Sequence, residues 1–531
     1  MRYYFIGLLI SIFSSFLLGQ SGNFSVLLKP VQIENLGGLQ SFAHGEYEGK
    51  WFIFGGRLDG LHQRQPFATF DIAGHNNQVI MVDLKSKSTS KRSLAELAAS
   101  LAEPLSSTNI QFYQEGEYLY LIGGYGYSNT EADHTTYSTL TAVHLPTLAD
   151  AMSLGTPLKD AFRQVKDDRF QVTGGYLGKI DDTYFLVGGQ KFIGRYNPMG
   201  PDHGPGFIQE YTNAVRRFKI TDDGQSITIN WMDPWIDENA FHRRDYNLGA
   251  RVTSDGQDGL TLFSGVFRKD QDLPFLDCIN ITKDGYAVQE NFNQLFNHYH
   301  CAHVPLHDSL NNEMHTLFFG GIAQYYLKNE VLFKDDNVPF VKTIAQVSQS
   351  ADGSMKEVAL DDVMPDYLGA SAEFFIAEGV PTYKNKIIEL NQIAQDSFLA
   401  GYIYGGIQSS DSNIFFVNTG EESQASPVIY EVHIRKSMTS SSADESQNIS
   451  DLNIFPNPVG QTLTFSFNAR KTQGIRMFIH DAAGNLIMKK ELENLQIGSN
   501  TISTPMPQVS KNTLILSISD GVKIYAKKIM Q

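Results

Sequence analysis

Two cysteines, Cys278 and Cys301, are the whole thiol complement of 531 residues. That excludes a disulfide-stapled scaffold and the multi-cysteine sites that hold structural zinc or iron–sulfur clusters. Whether the two pair with each other is left open by their spacing. Basic residues are also scarce, 42 Lys and Arg against 58 Asp and Glu, for a formal charge of −16. No cluster of positive side chains stands out, so a nucleic-acid partner is excluded, because binding phosphate backbones relies on such clusters. The acidity reads as a solvated, soluble surface. No G-x-S-x-G elbow and no phosphate loop occurs. After the first two dozen residues no apolar run is long enough to span a bilayer, so no transmembrane segment is expected once the leader described below is removed. Charged residues make up only 19% and hydrophobic residues 42%, which excludes a largely disordered chain.

The N-terminus carries its own signal. MRYYFIGLLISIFSSFLLGQSGNF has one early cation, Arg2, an apolar stretch from Phe5 to Leu18 and small residues at Gly19 and Ser21. Residues 1–19 read as a secretory signal peptide, leaving a mature chain that begins near Gln20. No cysteine lies there to accept a lipid anchor.

What is abundant is glycine (45), phenylalanine (35) and tyrosine (24), a bias toward strands separated by tight turns. The glycines are ordered. A run of strand formers ending in two glycines recurs as FIFGG (Phe52 to Gly56), YLIGG (Tyr120 to Gly124), FLVGG (Phe185 to Gly189), LFFGG (Leu317 to Gly321) and YIYGG (Tyr402 to Gly406). LFSG (Leu262 to Gly265) is a sixth copy in which Ser264 replaces the first glycine. After three of the pairs a second strand leads to an Asp-Gly turn, at Asp223-Gly224, Asp284-Gly285 and Asp352-Gly353, a strong hairpin signal. Before each pair lies another strand and a polar turn, such as Ile180-Asp181-Asp182-Thr183. Each unit therefore reads as a four-stranded antiparallel meander whose second strand ends in the glycines. Such units gain a core only by packing side by side.

In these features residues 24–436 resemble the kelch repeat, with Trp231 where that family usually carries its tryptophan. The resemblance implies an all-β, six-bladed kelch-type β-propeller. The strand Ser25 to Ile33 has no partner ahead of the first unit, and the last unit, ending in Val428 to Ile434, lacks its outermost strand, so the two ends are expected to complete one blade and close the ring.

Residues 437–450, rich in serine, read as a flexible linker. Beyond it, alternation at Leu463, Phe465, Phe467, Met477 and Ile479 marks half-buried strands of a small C-terminal β-sandwich. Residues 451–531 resemble the type A C-terminal sorting domain of the type IX secretion system of Bacteroidetes. The resemblance rests on Pro456, Asn457 and Pro458, on Asp481 and Gly484 between strands, and on Lys527 and Lys528 in the closing strand. It implies the secretion machinery as a partner and a product that is released or attached to the outer cell surface.

Long loops on one face of a rigid ring are where binding residues usually sit. The second-to-third-strand loops carry Arg57, His62, Arg64, Tyr125, Tyr127, Arg195, Tyr196, His203, Tyr325 and Tyr326, a set suited to gripping a peptide or stacking on sugars. Binding of an extracellular protein or glycan through this face is the expected function, with Tyr125 and Tyr196 truncatable without loss of stability. The alternative is an extracellular carbohydrate-active enzyme, similar to kelch-type sialic-acid epimerases, with acid and base residues in the axial channel. His298, His300, His303 and His307 are the densest histidine run, with His298 and His300 expected on one strand face. No carboxylate is placed to complete a metal site with them, the copper-radical pattern of galactose oxidase is not matched, and no metal or cofactor is expected.

Overall fold

The computed structural model describes residues 22–65, 67–200, 206–328, 331–436, 449–455, 459, 461–481, 486–506, 514–519 and 524–529. The signal peptide, the linker up to residue 448, His203, Pro456, Asn457, Pro458 and Gly484 lie outside the described residues. The chain divides into two compact units, Met1–Ser437 and Met438–Gln531.

In the first unit the second strand of each repeat is the key to packing. Lys50–Phe54 is buried along nearly its whole length, as expected of a short continuous apolar run covered on both faces. Its alternation divides the side chains between two cores. Phe52 and Phe54 enter one cluster with Leu119, Leu121 and Val143, whereas Trp51 and Ile53 enter another with Phe375, Tyr404 and Ile429. The strand Tyr118–Ile122 does the same, sending Leu119 and Leu121 to the first of these clusters and Tyr120 and Ile122 to a third, with Leu177 and Leu186.

Around such strands stand six antiparallel sheets of the same plan. The first pairs Ala43–Tyr47, Lys50–Phe54, Gln78–Asp83 and Ser88–Ser93 in order; the second, Gln111–Glu115, Tyr118–Ile122, Thr139–His144 and Phe162–Lys166. The third pairs Tyr176–Ile180, Thr183–Val187, Ala214–Asp222 and Ile227–Trp231; the fourth, Asn247–Val252, Asp258–Phe263, Cys278–Ile281 and Tyr286–Val288. The fifth pairs His303–Asp308, Glu313–Phe319, Thr343–Gln349 and Met355–Val363. The sixth is built from Tyr367–Ile376, Ser397–Ser409 and Ile429–Lys436, and its outer strand is Phe24–Val31 from the other end of the chain, in register from Phe24 opposite Lys436 to Val31 opposite Ile429. An apolar cluster lies between each sheet and the next, and one of them joins the sixth sheet to the first.

The glycine pairs mark where neighbouring sheets touch. The second glycine of each copy donates its N–H to a carbonyl ahead of the following sheet or at the start of its first strand: Gly56 to Ser107 (2.9 Å), Gly124 to Val172 (2.9 Å), Gly189 to Arg243 (2.8 Å), Gly265 to His298 (3.1 Å) and Gly321 to Leu368 (3.0 Å). Gly406 donates to Leu39 (2.9 Å), ahead of the first sheet, so the series returns to its start. The first glycine has positive φ and no room for a side chain. At Gly123, with φ of +65°, a β-carbon would stand 2.0 Å from the Val172 carbonyl oxygen. Ser264 takes the same left-handed backbone, with φ of +55°, a conformation costly for a residue with a β-carbon. Its hydroxyl donates to the Phe275 carbonyl at 2.6 Å.

The two cysteines are free and buried. Both belong to the cluster between the fourth and fifth sheets, but each thiol has a partner of its own. Cys278 donates to Gln294 Oε1 at 3.7 Å and Cys301 Sγ accepts from Asn247 at 3.7 Å.

In the second unit Ile449–Ile454, Thr462–Ala469 and Gly498–Pro505 form one sheet; Leu486–Glu491, Arg476–Asp481, Leu514–Ser519 and Ile524–Ile529 form another. Leu463, Phe465 and Phe467 from the first, and Met477, Ile479, Leu514, Leu516 and Ile518 from the second, share one core. The first strand begins at Ile449, so Ile449 and Ser450 belong to this unit and not to the linker. Asp481 pairs with Leu514 and Lys528 with Ile515 in the second sheet, and Lys527 reaches Asn453 Oδ1 at 2.9 Å.

Two alanine substitutions separate backbone strain from close approach. Gly116, with φ of +56°, has nothing within 4 Å of a β-carbon, so Gly116→Ala should cost about 1–2 kcal/mol from the left-handed backbone alone. Gly123→Ala should cost a further ~1–3 kcal/mol for displacing a neighbouring sheet. Urea unfolding of the two variants measures the difference, and equal losses would show that the carbonyl contact does not limit the approach of the sheets.

Candidate functional site

Just ahead of its first strand, or early within it, each sheet places one residue at the centre of the first unit: Ser41, Asn109, Gly174, Asp245, His300 and Ser371. Their backbones are linked in a circle. Ser41 N–H donates to Ser371 O (3.0 Å), Ser371 to His300 (2.8 Å), His300 to Asp245 (2.8 Å) and Asp245 to Gly174 (2.8 Å). The Thr173 hydroxyl donates to Asn109 O (3.3 Å) and Asn109 N–H to Ser41 O (3.1 Å). This circle is the waist of a central passage, with about 30 Å³ of free volume.

Above the waist the passage opens into a cavity of about 590 Å³ on the side of the glycine ends. Below it lies a chamber of about 210 Å³. The far end of that chamber is crossed by the segment joining Tyr367–Ile376 to Ser397–Ser409. Lys384 pairs with Asp258 at 2.5 Å, Asn385 accepts from the Tyr113 hydroxyl at 3.2 Å, and Lys386 pairs with Glu46 at 3.1 Å. The same segment adds Ile388–Glu389 in parallel to the first strand of the fifth sheet. The upper cavity thus has its mouth on the loop side.

Of the sequence-derived candidates, Arg57, His62, Arg64, Tyr125 and Tyr196 line the upper cavity. Arg57 is 3% exposed. Its Nε donates to Asp59 Oδ1 at 2.7 Å and its Nη2 to Asp71 O at 3.1 Å, while Nη1 is buried without a partner. Arg64 lies over the Phe416 ring, 5.3 Å from its centroid, and joins no ion pair among the described residues. His62 packs edge-on against Tyr196 at 4.9 Å, and burial pulls its pKa down to about 4. Tyr125 is a wall residue: its buried hydroxyl donates to Gly194 O at 2.8 Å and accepts from Tyr196 N–H at 3.1 Å. This corrects the expectation that Tyr125 could be truncated without loss of stability, because truncation would break a bond that shapes the cavity.

The remaining described candidates, Tyr127, Arg195, Tyr325 and Tyr326, are not in the cavity lining. Arg195 is turned to Thr69 O at 2.6 Å. Tyr127 packs against His134 at 5.4 Å. Tyr325 and Tyr326 belong to a hairpin of Tyr325–Lys328 with Val331–Lys334, where Tyr326 stacks on Phe333 at 5.9 Å.

Sequence reasoning missed Arg244, Asp245, Tyr299 and the role of His300. Arg244 is ion-paired to Asp245, lies 5.1 Å from the Phe267 centroid and meets the Tyr211 hydroxyl at 3.3 Å. Below it, His300 Nε2 stands 3.1 Å from Glu373 Oε1, both side chains being largely buried. Burial pulls the His300 pKa down, but the Glu373 and Asp245 carboxylates outweigh it and leave it above the ordinary histidine value. The signal that could have found these residues is phase within the repeat, since each waist residue occupies the equivalent place ahead of or early in its sheet's first strand. Their chemistry varies from glycine to histidine, so no motif marks them. The four clustered histidines do not converge either. His298 is held by Gln294 O and Gln324 N–H, His303 meets Cys301 O and Leu248 O, and His307 meets the Tyr383 hydroxyl. The strand begins at His303, so His298 and His300 do not share a strand face. Among the described residues no three His, Cys, Asp or Glu side chains are grouped to hold a metal ion.

Residues 453–531 match the family described as the secretion system C-terminal sorting domain. The protein is therefore exported through the type IX system, to be secreted or displayed at the cell surface, and the secretion machinery handles it. No helix among the described residues is long and apolar enough to cross a membrane. No curated protein matches the chain. Among solved structures it is similar to the protein YjhT, with 12% identity over 60% of this chain and 84% of that one and a TM-score of 0.37. A fungal alcohol oxidase of the AA5 family in complex with copper gives 8% identity, 96% and 100% coverage and a TM-score of 0.37. An exo-1,5-α-L-arabinanase from a bovine ruminal metagenomic library gives 9% identity, 76% and 95% coverage and a TM-score of 0.24.

Replacing Glu373 by Gln tests the floor of the cavity. With that carboxylate gone, burial acts with less opposition, so the His300 pKa should fall, read from the pH titration of its ring signals by NMR. A histidine whose folded pKa is raised contributes stability that is present below its unfolded value of about 6.5 and lost as pH rises through the folded value. The wild type should therefore lose stability relative to Glu373→Gln as pH rises through that window.

Proposed function

We propose that the first unit is a six-bladed, kelch-type β-propeller, and that this exported protein holds a small anionic carbohydrate in its central cavity. Six four-stranded sheets, an outer strand lent by the N-terminal end, and two series of hydrogen bonds that return to their starting sheet support the ring. The glycine positions, each set against the carbonyl of the next sheet, support the kelch reading.

The observation that carries the ligand class is the charge of the cavity wall. The protein as a whole is strongly acidic, yet the upper cavity is lined by Arg57, Arg64 and Arg244 against the single carboxylate Asp245. Among the described residues Arg64 and the Nη1 of Arg57 have no carboxylate partners. Arginine in such a setting is suited to bidentate recognition of a carboxylate, sulfate or phosphate. Phe70, Tyr196, Tyr299 and Phe415 supply flat walls on which a sugar ring can stack, and the volume is that of an ordinary small-ligand site. The binding surface is then the inside of the funnel and not the crests of the loops.

The panel that tests this is a set of hexuronic acids beside their neutral hexoses, titrated calorimetrically into the mature protein. The acids should bind and the neutral sugars should not, binding should weaken with salt, and Arg64→Gln should cost about tenfold in affinity, or ~1.4 kcal/mol. Equal binding of neutral and acidic sugars would overturn the reading.

A second reading, catalysis on an extracellular carbohydrate, is favoured by one observation: a buried His300–Glu373 pair lies at the waist, with His300 reaching the cavity lining and Glu373 behind it, so that a proton donor and acceptor are joined to the cavity. Turnover of a bound sugar that is lost in His300→Gln, with affinity retained, would establish it.

For the second unit, removal of residues 449–531 should leave a folded first unit in the periplasm. Cell fractionation that recovered the truncated protein outside the cell would overturn its role as the address.

A further inference from the structure

We propose that the cavity takes the end of an acidic glycan chain, with the following sugar units resting on an apolar collar around its mouth; this rests on the anionic-carbohydrate reading above. The first observation is where exposed apolar side chains lie. Leu58 (50% exposed), Phe67 (72%), Met199 (48%), Phe416 (61%) and Val417 (60%) all belong to loops that leave from the glycine ends of the strands. Large apolar groups held in solvent around the mouth of a cavity mark an interaction surface.

The second observation is continuity. Phe416 and Met199 are largely exposed and also line the cavity, so one apolar surface runs from inside the funnel to the outside. Phe67 lies between Arg64 and Phe70 in sequence, and both of those line the wall. Leu58 and Val417 directly follow the lining residues Arg57 and Phe416. Arg64 lies over Phe416, which places a cation with no ion pair among the described residues beside an exposed aromatic face.

The third observation is the closed floor. The waist leaves about 30 Å³ and the segment bearing Lys384, Asn385 and Lys386 crosses the chamber beneath it. A polymer cannot thread the molecule, and only an end can enter. A free monosaccharide would make no use of the collar. A chain of acidic pyranoses would, because each unit presents a carboxylate for arginine and a face of C–H groups for an aromatic or aliphatic side chain.

The test uses the mature full chain and galacturonate oligomers of one to six units, titrated calorimetrically, with circular dichroism as the folding control. Affinity should rise at least tenfold between the monomer and the trimer. Phe67→Ala combined with Val417→Ala, both exposed and outside the cavity lining, should remove most of that rise while leaving monomer affinity within twofold. Arg64→Gln should weaken every length alike. Affinity independent of length, or a collar variant that weakens monomer and hexamer equally, would overturn the collar while leaving the anionic site standing. Failure of every length to bind would overturn the anionic-carbohydrate reading itself, and the collar proposal with it.

Discussion

One contact, the backbone of a strand-ending glycine against the carbonyl of the next sheet, sets the geometry on which the rest of the first unit depends. At Gly123 no β-carbon fits, and the N–H of Gly124 is spent on the same carbonyl. Repeated at six places, this contact fixes how closely sheets approach at their inner ends. A strand in such a stack is covered on both faces, which is why Trp51–Phe54 is apolar at every position while its alternate side chains serve different cores. The approach of the sheets brings the polypeptide at the start of each into a circle, and that circle narrows the passage to a waist. A cavity above a closed floor follows from packing, before any ligand is considered.

The chemistry of the site is laid over this frame in a way that explains its residues. Buried charges need partners, and Arg57 and Arg244 are held by Asp59 and Asp245. Those pairings leave the arginines fixed in direction but largely neutralised. Arg64 differs: it is stacked on Phe416 and has no carboxylate partner among the described residues, so its charge is available to an incoming group on the proposed reading. The floor carries a second, deeper pair in His300 and Glu373, whose mutual attraction offsets the cost of burial. Among the described residues the site therefore combines one cation without an ion pair, Arg64, with compensated charges beneath it.

The all-β class and the sorting domain were legible in the sequence because each has a local signal: strand formers ending in glycine, Asp-Gly turns, and alternation at Leu463, Phe465 and Phe467. The sorting family match begins at residue 453, inside the segment read as a sorting domain. The site was legible in part. Arg57, His62, Arg64 and Tyr196 lie directly after glycine pairs or in the loops that follow, so exposure and residue type pointed to them. Tyr125 was named for the same reason but turned out to be structural, since a tyrosine following a glycine pair can bury its ring and donate to a carbonyl across the loop. Tyr325 and Tyr326 were carried away by a hairpin of their own that sequence patterning did not reveal. Arg244, Asp245 and His300 were missed because position at the axis is a property of the assembled sheets. HRRDYNLG and NHYHCAH contain them without marking them.

The acidity of the molecule sharpens the argument for chain ends. A protein with net charge of −16 repels an anionic polymer lying along it, so on the proposed reading attraction comes from the cavity, where Arg64 has no ion pair among the described residues. At physiological salt that attraction reaches only about 8 Å. An acidic chain held only by its terminal unit would feel repulsion along the units outside. Apolar contacts at the collar are insensitive to that repulsion, since burial of C–H surface does not depend on the sign of charge. Phe67, Phe416 and Val417, all exposed in loops beside the cavity lining, are placed to make such contacts on the proposed reading.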